Sequence, residues 1–302
     1  MQKITDELVT VRDYIRYGVS KFNKANLFYG HGTDNAFDEA VYLVMEMLDL
    51  PIDGMEFSLD AKLTNVEREK LIDTIDRRIK TRKPAPYLTN KVYLDNYCFY
   101  VDERVNIPRL FLGEQILSNF ESQQNFALSK STNEIQSVLD LCTGAGVLSV
   151  VAAQAFPNAH IDAIDVSVDA LEVAKINIKS YCLEDRVTLF EGDLFKPVAG
   201  KKYDLILSNP PYLSNENKAS MPPEYSHEPK RAIDSGADGL KLIKRIINSA
   251  ADYLEDNGML ICEVGNTKKD LEAVYPHLNF MWFDELEGQN SSFWLNRENL
   301  LF

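Results

Sequence analysis

Four consecutive residues, Asn209-Pro210-Pro211-Tyr212, carry the most specific chemistry in this chain. They follow the run Tyr203-Asp204-Leu205-Ile206-Leu207-Ser208, which reads as a buried strand. An Asn, a rigid Pro-Pro step and an aromatic at the C-terminal end of a strand make a clamp for a planar NH2 group. The Asn side-chain oxygen and the Pro210 carbonyl can each accept one N–H. Proline fixes its own φ and has no donor to compete. Tyr212 can stack on a flat group and attract a cation. The clamped group is therefore an amide or an exocyclic amine.

A second cluster lies in Val138-Leu139-Asp140-Leu141-Cys142-Thr143-Gly144-Ala145-Gly146, which reads as strand, small-residue turn and helix. Gly144 and Gly146 allow close backbone approach to a ligand and positive φ. A dinucleotide site wants a third glycine at position 149, where Ser149 stands, and no Lys-Ser/Thr pair follows for a phosphate loop. The turn is not built for phosphates, and by itself it is equally a tight strand-to-helix connection. Asp165 ends the next strand, about 20 residues after the glycines, where a carboxylate takes both hydroxyls of a ribose. The cap of the following helix falls to Ser167. Asp193 ends the third strand and suits an adenine amino group, with Leu194 against the ring. Asp140 can bond either the turn or a ligand ammonium.

These residues need a scaffold, and the hydrophobic pattern supplies one. The first ~85 residues read as helical. Segment 5–22 places Leu8, Val11, Ile15 and Val19 at helical spacing, and 34–49 is a second helix stopped by Pro51. Thr64-Asn65-Val66-Glu67 is a capping box opening a third, with Leu71, Ile72, Ile75 and Ile79 inward. Residues 91–108 alternate like short strands around an Asp95-Asn96 turn. From Ser137 the pattern is strand, helix, strand, helix: strands at 137–141, 160–165, 187–191, 203–208 and 259–264, then two short ones near 279–283 and 292–296. Helices fall at 146–156, 168–180, 238–254 and 267–276. Such alternation predicts an α/β fold with a doubly wound, mainly parallel sheet, whose ligands bind at the C-terminal ends of the strands. The expected division is a helical domain over 1–90, a hairpin and linker helix over 91–121, and the α/β domain over 122–302.

Composition narrows the partners. The 302 residues carry 32 basic and 46 acidic side chains, a net charge of −14. A general nucleic-acid binder would show the opposite balance; a basic protein or a small molecule fits. Cys98, Cys142, Cys182 and Cys262 are far apart, with no zinc-ligand spacing and no disulfide framework. No metal is expected. The first residues show no apolar signal region, and no apolar run approaches the ~20 residues of a membrane span. A cytoplasmic location and no membrane partner are the expectations.

Taken together, the motifs resemble a known family. The Asp140–Gly146 turn, the acid after strand two, Gly-Asp after strand three and Asn-Pro-Pro-Tyr after strand four are similar to those of class I S-adenosylmethionine-dependent methyltransferases. The resemblance implies a Rossmann-like fold and S-adenosylmethionine as cofactor. The tetrad resembles that of enzymes methylating amide or exocyclic amino nitrogens, a set that includes both adenine-N6 DNA methyltransferases and protein glutamine N5 methyltransferases. The acid balance favours glutamine, because phosphate contacts dominate DNA affinity. So does the segment Phe99–Arg109 with Glu114, which resembles the hallmark of glutamine methyltransferases of release factors and ribosomal proteins. Pro222-Pro223-Glu224-Tyr225, His227-Glu228-Pro229 and Ala237-Asp238-Gly239-Leu240 resemble theirs too.

Residues 28–40, Arg82–Asn90 and Cys142 are more similar to the branch acting on large-subunit ribosomal protein L-three than to the release-factor branch. Phe37 and Asn106 depart from that branch's pattern. On this resemblance the partner is the ribosomal protein before assembly, and not DNA. Asn209, Pro210 and Tyr212 act on the amide, Pro211 and Arg109 contact the substrate, and Asp140, Cys142, Gly144, Gly146, Asp165, Asp193, Leu194 and Asn209 hold the cofactor. Arg109 is equally an ion-pair partner for Glu114. His31 reads as a packing or substrate residue rather than a catalytic one. The methyl sulfonium is already activated, so the protein's part is alignment, and no general base stands out. The rivals are a release-factor or adenine methyltransferase and a non-enzymatic binding module of the same fold.

Overall fold

The structure is a computed structural model that describes residues 4–108, 111–122, 131–213, 221–230, 236, 238–283 and 291–301, without the side chains of 111 and 118–122. The chain divides into two compact units. The first comprises Met1–Val92, Val101–Glu103 and Pro222–His227; the second comprises Tyr93–Tyr100, Arg104–Met221 and Glu228–Phe302.

The first unit is helical: α1 (Ile4–Glu7), α2 (Val11–Ala25), α3 (Ala36–Met47), α4 (Asn65–Thr81) and α5 (Ala85–Thr89). The single helix expected over 5–22 is two. Thr10 is extended and caps α2: its hydroxyl accepts the Asp13 N–H at 3.3 Å, while Asp13 accepts the N–H groups of Thr10 and Val9. An Asp in place of the usual Glu or Gln hides this box from a sequence reading. The box at Thr64 and Glu67 forms as read. Val11, Tyr14, Ile15 and Phe22 of α2, most of α3, and Leu71 and Ile75 of α4 make the core.

A cluster of charged side chains lies within that core. Arg78 is 1 % exposed. Its Nε donates to Glu39 Oε1 at 2.5 Å and its Nη2 to the Phe28 carbonyl at 3.0 Å. Glu224, fully buried, accepts from the Phe28 N–H at 3.0 Å and pairs with Arg82 at 2.7 Å. Tyr225 packs on His31 with ring centroids 4.6 Å apart, and the His227 ring nitrogen lies 2.8 Å from the Thr81 carbonyl. His31 is therefore a buried packing residue of this unit. The segment downstream of the tetrad is built into the helical unit by charge and aromatic contacts, which no periodicity reveals.

The second unit holds a hairpin, β1 (Lys91–Leu94) with β2 (Tyr97–Tyr100), whose residues up to Val92 belong to the first unit. Helix α6 (Phe111–Ser122) follows. The main sheet contains β3 (Ser137–Leu141), β4 (His160–Asp165), β5 (Val187–Glu191), β6 (Tyr203–Ser208), β7 (Leu254–Gly265), β8 (Met281–Trp282) and β9 (Ser291–Asn296), in the order β5-β4-β3-β6-β7-β9-β8. The five strands from β5 to β7 are parallel, and β9 runs antiparallel to β7 and β8. Helices α7 (Val147–Ala155), α8 (Val168–Ser180), α9 (Lys241–Tyr253) and α10 (Lys268–Val274) complete it. Every residue of β6 is buried, which explains its apolar centre Leu205-Ile206-Leu207; the buried Asp204 accepts the N–H groups of Gln136 and Ser137.

Strand β7 starts at Leu254, five residues before the expected start at Met259. Leu254 pairs with Tyr203 and Met259 with Leu205, so residues 255–258 bulge out and the chain rejoins the same ladder. Among the described residues no helix is long and apolar enough to cross a membrane.

Candidate active site

The strand order reverses between β3 and β6, where an α/β sheet opens a crevice at its carboxyl ends. Leu141 and Ser208, the last residues of these strands, are register partners. Cys142 and Asn209 therefore leave the sheet side by side. The glycine turn and the tetrad, 60-odd residues apart in sequence, face one cavity of about 240 Å³.

That cavity is lined by Cys142, Gly144, Asp165, Asp193, Leu194, Asn209, Pro210, Pro211 and Tyr212 of the residues singled out from sequence. The segment Arg104–Pro108 lines it as well, including Asn106. Asp140 and Gly146 stand behind the lining. Arg109 falls outside the described residues.

The turn is held from several sides. Asp140 is fully buried in β3, and its Oδ2 accepts from the hydroxyls of Thr143 and Ser149, each at 2.6 Å. Its Oδ1 has no hydrogen-bond partner among the described residues. Burial pushes its carboxyl up to about 6, against the opposing hydrogen bonds from Ser149 and Thr143. Asp165 accepts the Gly144 N–H at 3.0 Å and the Ser167 N–H at 2.9 Å. Its carboxyl is also raised, by burial, and those backbone donors hold the shift back.

The two glycines serve different ends. Gly146 has φ +78°, and a Cβ there would sit 3.2 Å from the Ala174 Cα of α8, so it permits helix–turn packing. Gly144 has φ +54°, and a Cβ there would meet no atom within 4 Å. Its missing side chain leaves room in the cavity.

Sequence reasoning missed three supports. Asn177 of α8 donates to the carbonyls of Ala145 at 2.8 Å and Tyr100 at 3.0 Å, and accepts the Tyr100 N–H, tying the turn to β2. Asp193 is gripped by Arg245 at 2.8 Å and Lys196 at 2.9 Å, with Lys196 the main cause of its lowered carboxyl pKa. Glu263, fully buried in β7, also lines the cavity and accepts from the Tyr212 hydroxyl at 3.2 Å. A lone Glu within the apolar strand 259–264 was the available signal, because a buried charge needs partners.

Comparison with known proteins bears on the same residues. The model of the methyltransferase small domain matches residues 123–223. Ribosomal protein uL3 glutamine methyltransferase of Neisseria gonorrhoeae is 46 % identical over 98 % of this chain and 97 % of its own length. That of Bradyrhizobium diazoefficiens is 44 % identical over 97 % and 92 %, and that of Burkholderia pseudomallei 43 % identical over 96 % and 95 %. The chain belongs to the ribosomal protein uL3 glutamine methyltransferase family.

Among solved structures, ribosomal protein L11 methylase from Lactobacillus delbrueckii subsp. bulgaricus aligns at a TM-score of 0.44, with 16 % identity, over 64 % of this chain and 82 % of that one. As a member of the uL3 glutamine methyltransferase family, the chain is a methyltransferase of the class I Rossmann-like fold.

Proposed function

We propose that this enzyme transfers the methyl group of S-adenosylmethionine to the side-chain amide nitrogen of a glutamine in ribosomal protein uL3, before the protein joins the ribosome. The observation that carries this is the placement of an amide clamp, Asn209 and Pro210, beside a turn suited to a cationic nucleoside ligand in one cavity. The names of its relatives supply the substrate.

The residues present fit the cofactor. The space over Gly144, the acids Asp165 and Asp193, and the unpartnered Oδ1 of Asp140 match a bulky nucleoside bearing ribose hydroxyls and an ammonium. Asp165 takes the ribose, Leu194 packs on the adenine, and Cys142 and Gly146 shape the turn. Asp193, with about four acceptor sites on its carboxylate, keeps capacity for the adenine amino group beyond its contacts with Lys196 and Arg245. When bound, S-adenosylmethionine supplies an electrophilic methyl group on a sulfonium.

An amide nitrogen is a poor nucleophile because its lone pair is delocalised. Asn209 Oδ1 and the Pro210 carbonyl accept its two N–H groups and stabilise the form in which the lone pair is freed. Tyr212 holds the amide plane and Pro211 fixes the loop between them. Arg109 guides the substrate. The surplus proton of the methylated amide leaves to a carbonyl acceptor or water.

The raised carboxyls give a pH signature. In the folded protein Asp140 binds its proton up to about pH 6, against 3.8 for the ordinary group. The folded state thus holds more protons than the unfolded one between those values, so this group's contribution to stability falls as pH rises through them, by roughly 3 kcal/mol in all. Asp165 acts in the same direction. Affinity for a cationic ligand moves the opposite way and rises as the pair ionises. Asp140→Asn should raise the melting temperature of the ligand-free protein at pH 7, leave it nearly unchanged at pH 4.5, and weaken cofactor binding. Melts that keep their wild-type pH dependence in this variant would show that Asp140 is not the titrating group, and unchanged cofactor affinity would remove it from the ammonium role.

The substrate is tested by labelled-methyl transfer with free uL3, release factor, DNA and intact ribosomes, followed by mass spectrometry. Free uL3 should be methylated on a glutamine, and far faster than the others. An enzyme of net charge −14 should meet a basic ribosomal protein at a rate that falls with salt. The helical unit carries part of this recognition, in the compartment where ribosomes are assembled. Equal transfer to intact ribosomes or to release factor would count against this substrate.

A further inference from the structure

Two observations at the end of β7 converge on Tyr212. Its hydroxyl donates to Oε1 of Glu263 at 3.2 Å, and Glu263 has no solvent exposure. Its ring lies against the backbone of Gly265: a Cβ there would collide with three ring atoms, the farthest of them at 2.8 Å. Gly265 has φ +54°, a left-handed conformation, and the β7–β9 register shifts between Glu263 and Gly265. A bulge of this kind bends the strand and re-aims its side chains. Here it turns the Glu263 carboxylate into the cavity while the next-but-one residue withdraws its side chain altogether. Tyr212 itself stands only four residues after the end of β6, on a segment outside regular structure.

We propose that Glu263 and Gly265 are positioning residues for methyl transfer: Gly265 is the floor on which the Tyr212 ring lies, and Glu263 is the buried acceptor that fixes its rotation. The pair sets the tyrosine before the amide arrives, so that ordering the ring adds no cost to the bound state. The proposal rests on the amide-clamp reading of Asn209–Tyr212.

The test is a double-mutant cycle read in kcat, KM and cofactor affinity. Tyr212→Phe removes the hydrogen bond without touching the buried acid, and should lower kcat roughly tenfold with cofactor affinity unchanged, as for one hydrogen bond to a charged acceptor. Glu263→Met should do the same, and the double variant should be no worse than either alone, because both remove one interaction. Glu263→Gln keeps an acceptor for the hydroxyl and should recover most of the loss. Gly265→Ala should lower kcat sharply alone and add nothing in a Tyr212→Ala background. Wild-type kcat in Tyr212→Phe, or losses that add in the double variant, would overturn the proposal. Wild-type transfer by Tyr212→Ala would instead overturn the clamp reading beneath it, so the two failures are told apart.

Discussion

Asn209→Ala should cut methyl transfer by on the order of 10²-fold or more while leaving cofactor affinity nearly intact. The expected size follows from what the side chain does. In the proposed reaction it would accept one of the two N–H groups of an amide whose lone pair must be released, so its contribution would grow as the reaction proceeds. In the proposed site the truncation spares the turn after β3 and Asp165, which are assigned most of the cofactor's contacts. Single-turnover transfer of a labelled methyl group, with calorimetric binding of the cofactor alongside, separates the two quantities. Turnover near the wild-type value would show that the amide is held by other groups. A parallel loss of cofactor affinity would make Asn209 a cofactor residue first.

Arg78→Ala should destabilise the protein by roughly 3–5 kcal/mol, the usual cost of removing one partner from a buried ion pair. Arg78 and Glu39 have side chains 1 % and 2 % exposed, and Glu224 has none exposed. The deletion leaves two carboxyl groups in the core, Glu39 with the Thr33 hydroxyl and Glu224 with Arg82 and the Phe28 N–H among the described residues, and it also opens a cavity. Urea denaturation should show the midpoint falling with little change in the slope. A shift below ~1 kcal/mol would mean that water reaches the site and screens it as at an exposed pair.

The sheet and the turn were legible because their residue types are dictated locally. Strands buried on both faces are mostly apolar, as Leu205-Ile206-Leu207 of β6 are, and a turn entering left-handed space at Gly144 and Gly146 must be small. That both segments lie at carboxyl ends of parallel strands also follows from the alternation of strands and helices, but the adjacency of β3 and β6 is given only by the sheet order. What stayed hidden is pairing across long separations. Nothing near Asp193 names Arg245, 52 residues away, as the group that grips it. Asn177 looks like any polar helix residue until Ala145 and Tyr100 are seen against it. The break before α2 escaped because Asp13 does the work usually given to a longer acid. The bulge over 255–258 escaped because Asn257-Gly258 reads as a turn ending a helix, whereas the chain has already entered the sheet at Leu254.

The buried Glu224 has a consequence for the order in which the protein can be made. Its partners Phe28, Arg78 and Arg82 leave the ribosome early, yet Glu224 follows Phe28 by 196 residues. At ~5–20 residues per second of synthesis, the helical unit waits on the order of 10 s or more with part of its interior charge unanswered. During that interval Arg78 has Glu39, but Arg82 and the Phe28 amide have no acceptor from the later chain. The nascent helices can thus be compact but not finished, and their completion coincides with emergence of the stretch just beyond the catalytic tetrad. A chain truncated before Pro222 would lack the residue that closes its own first unit.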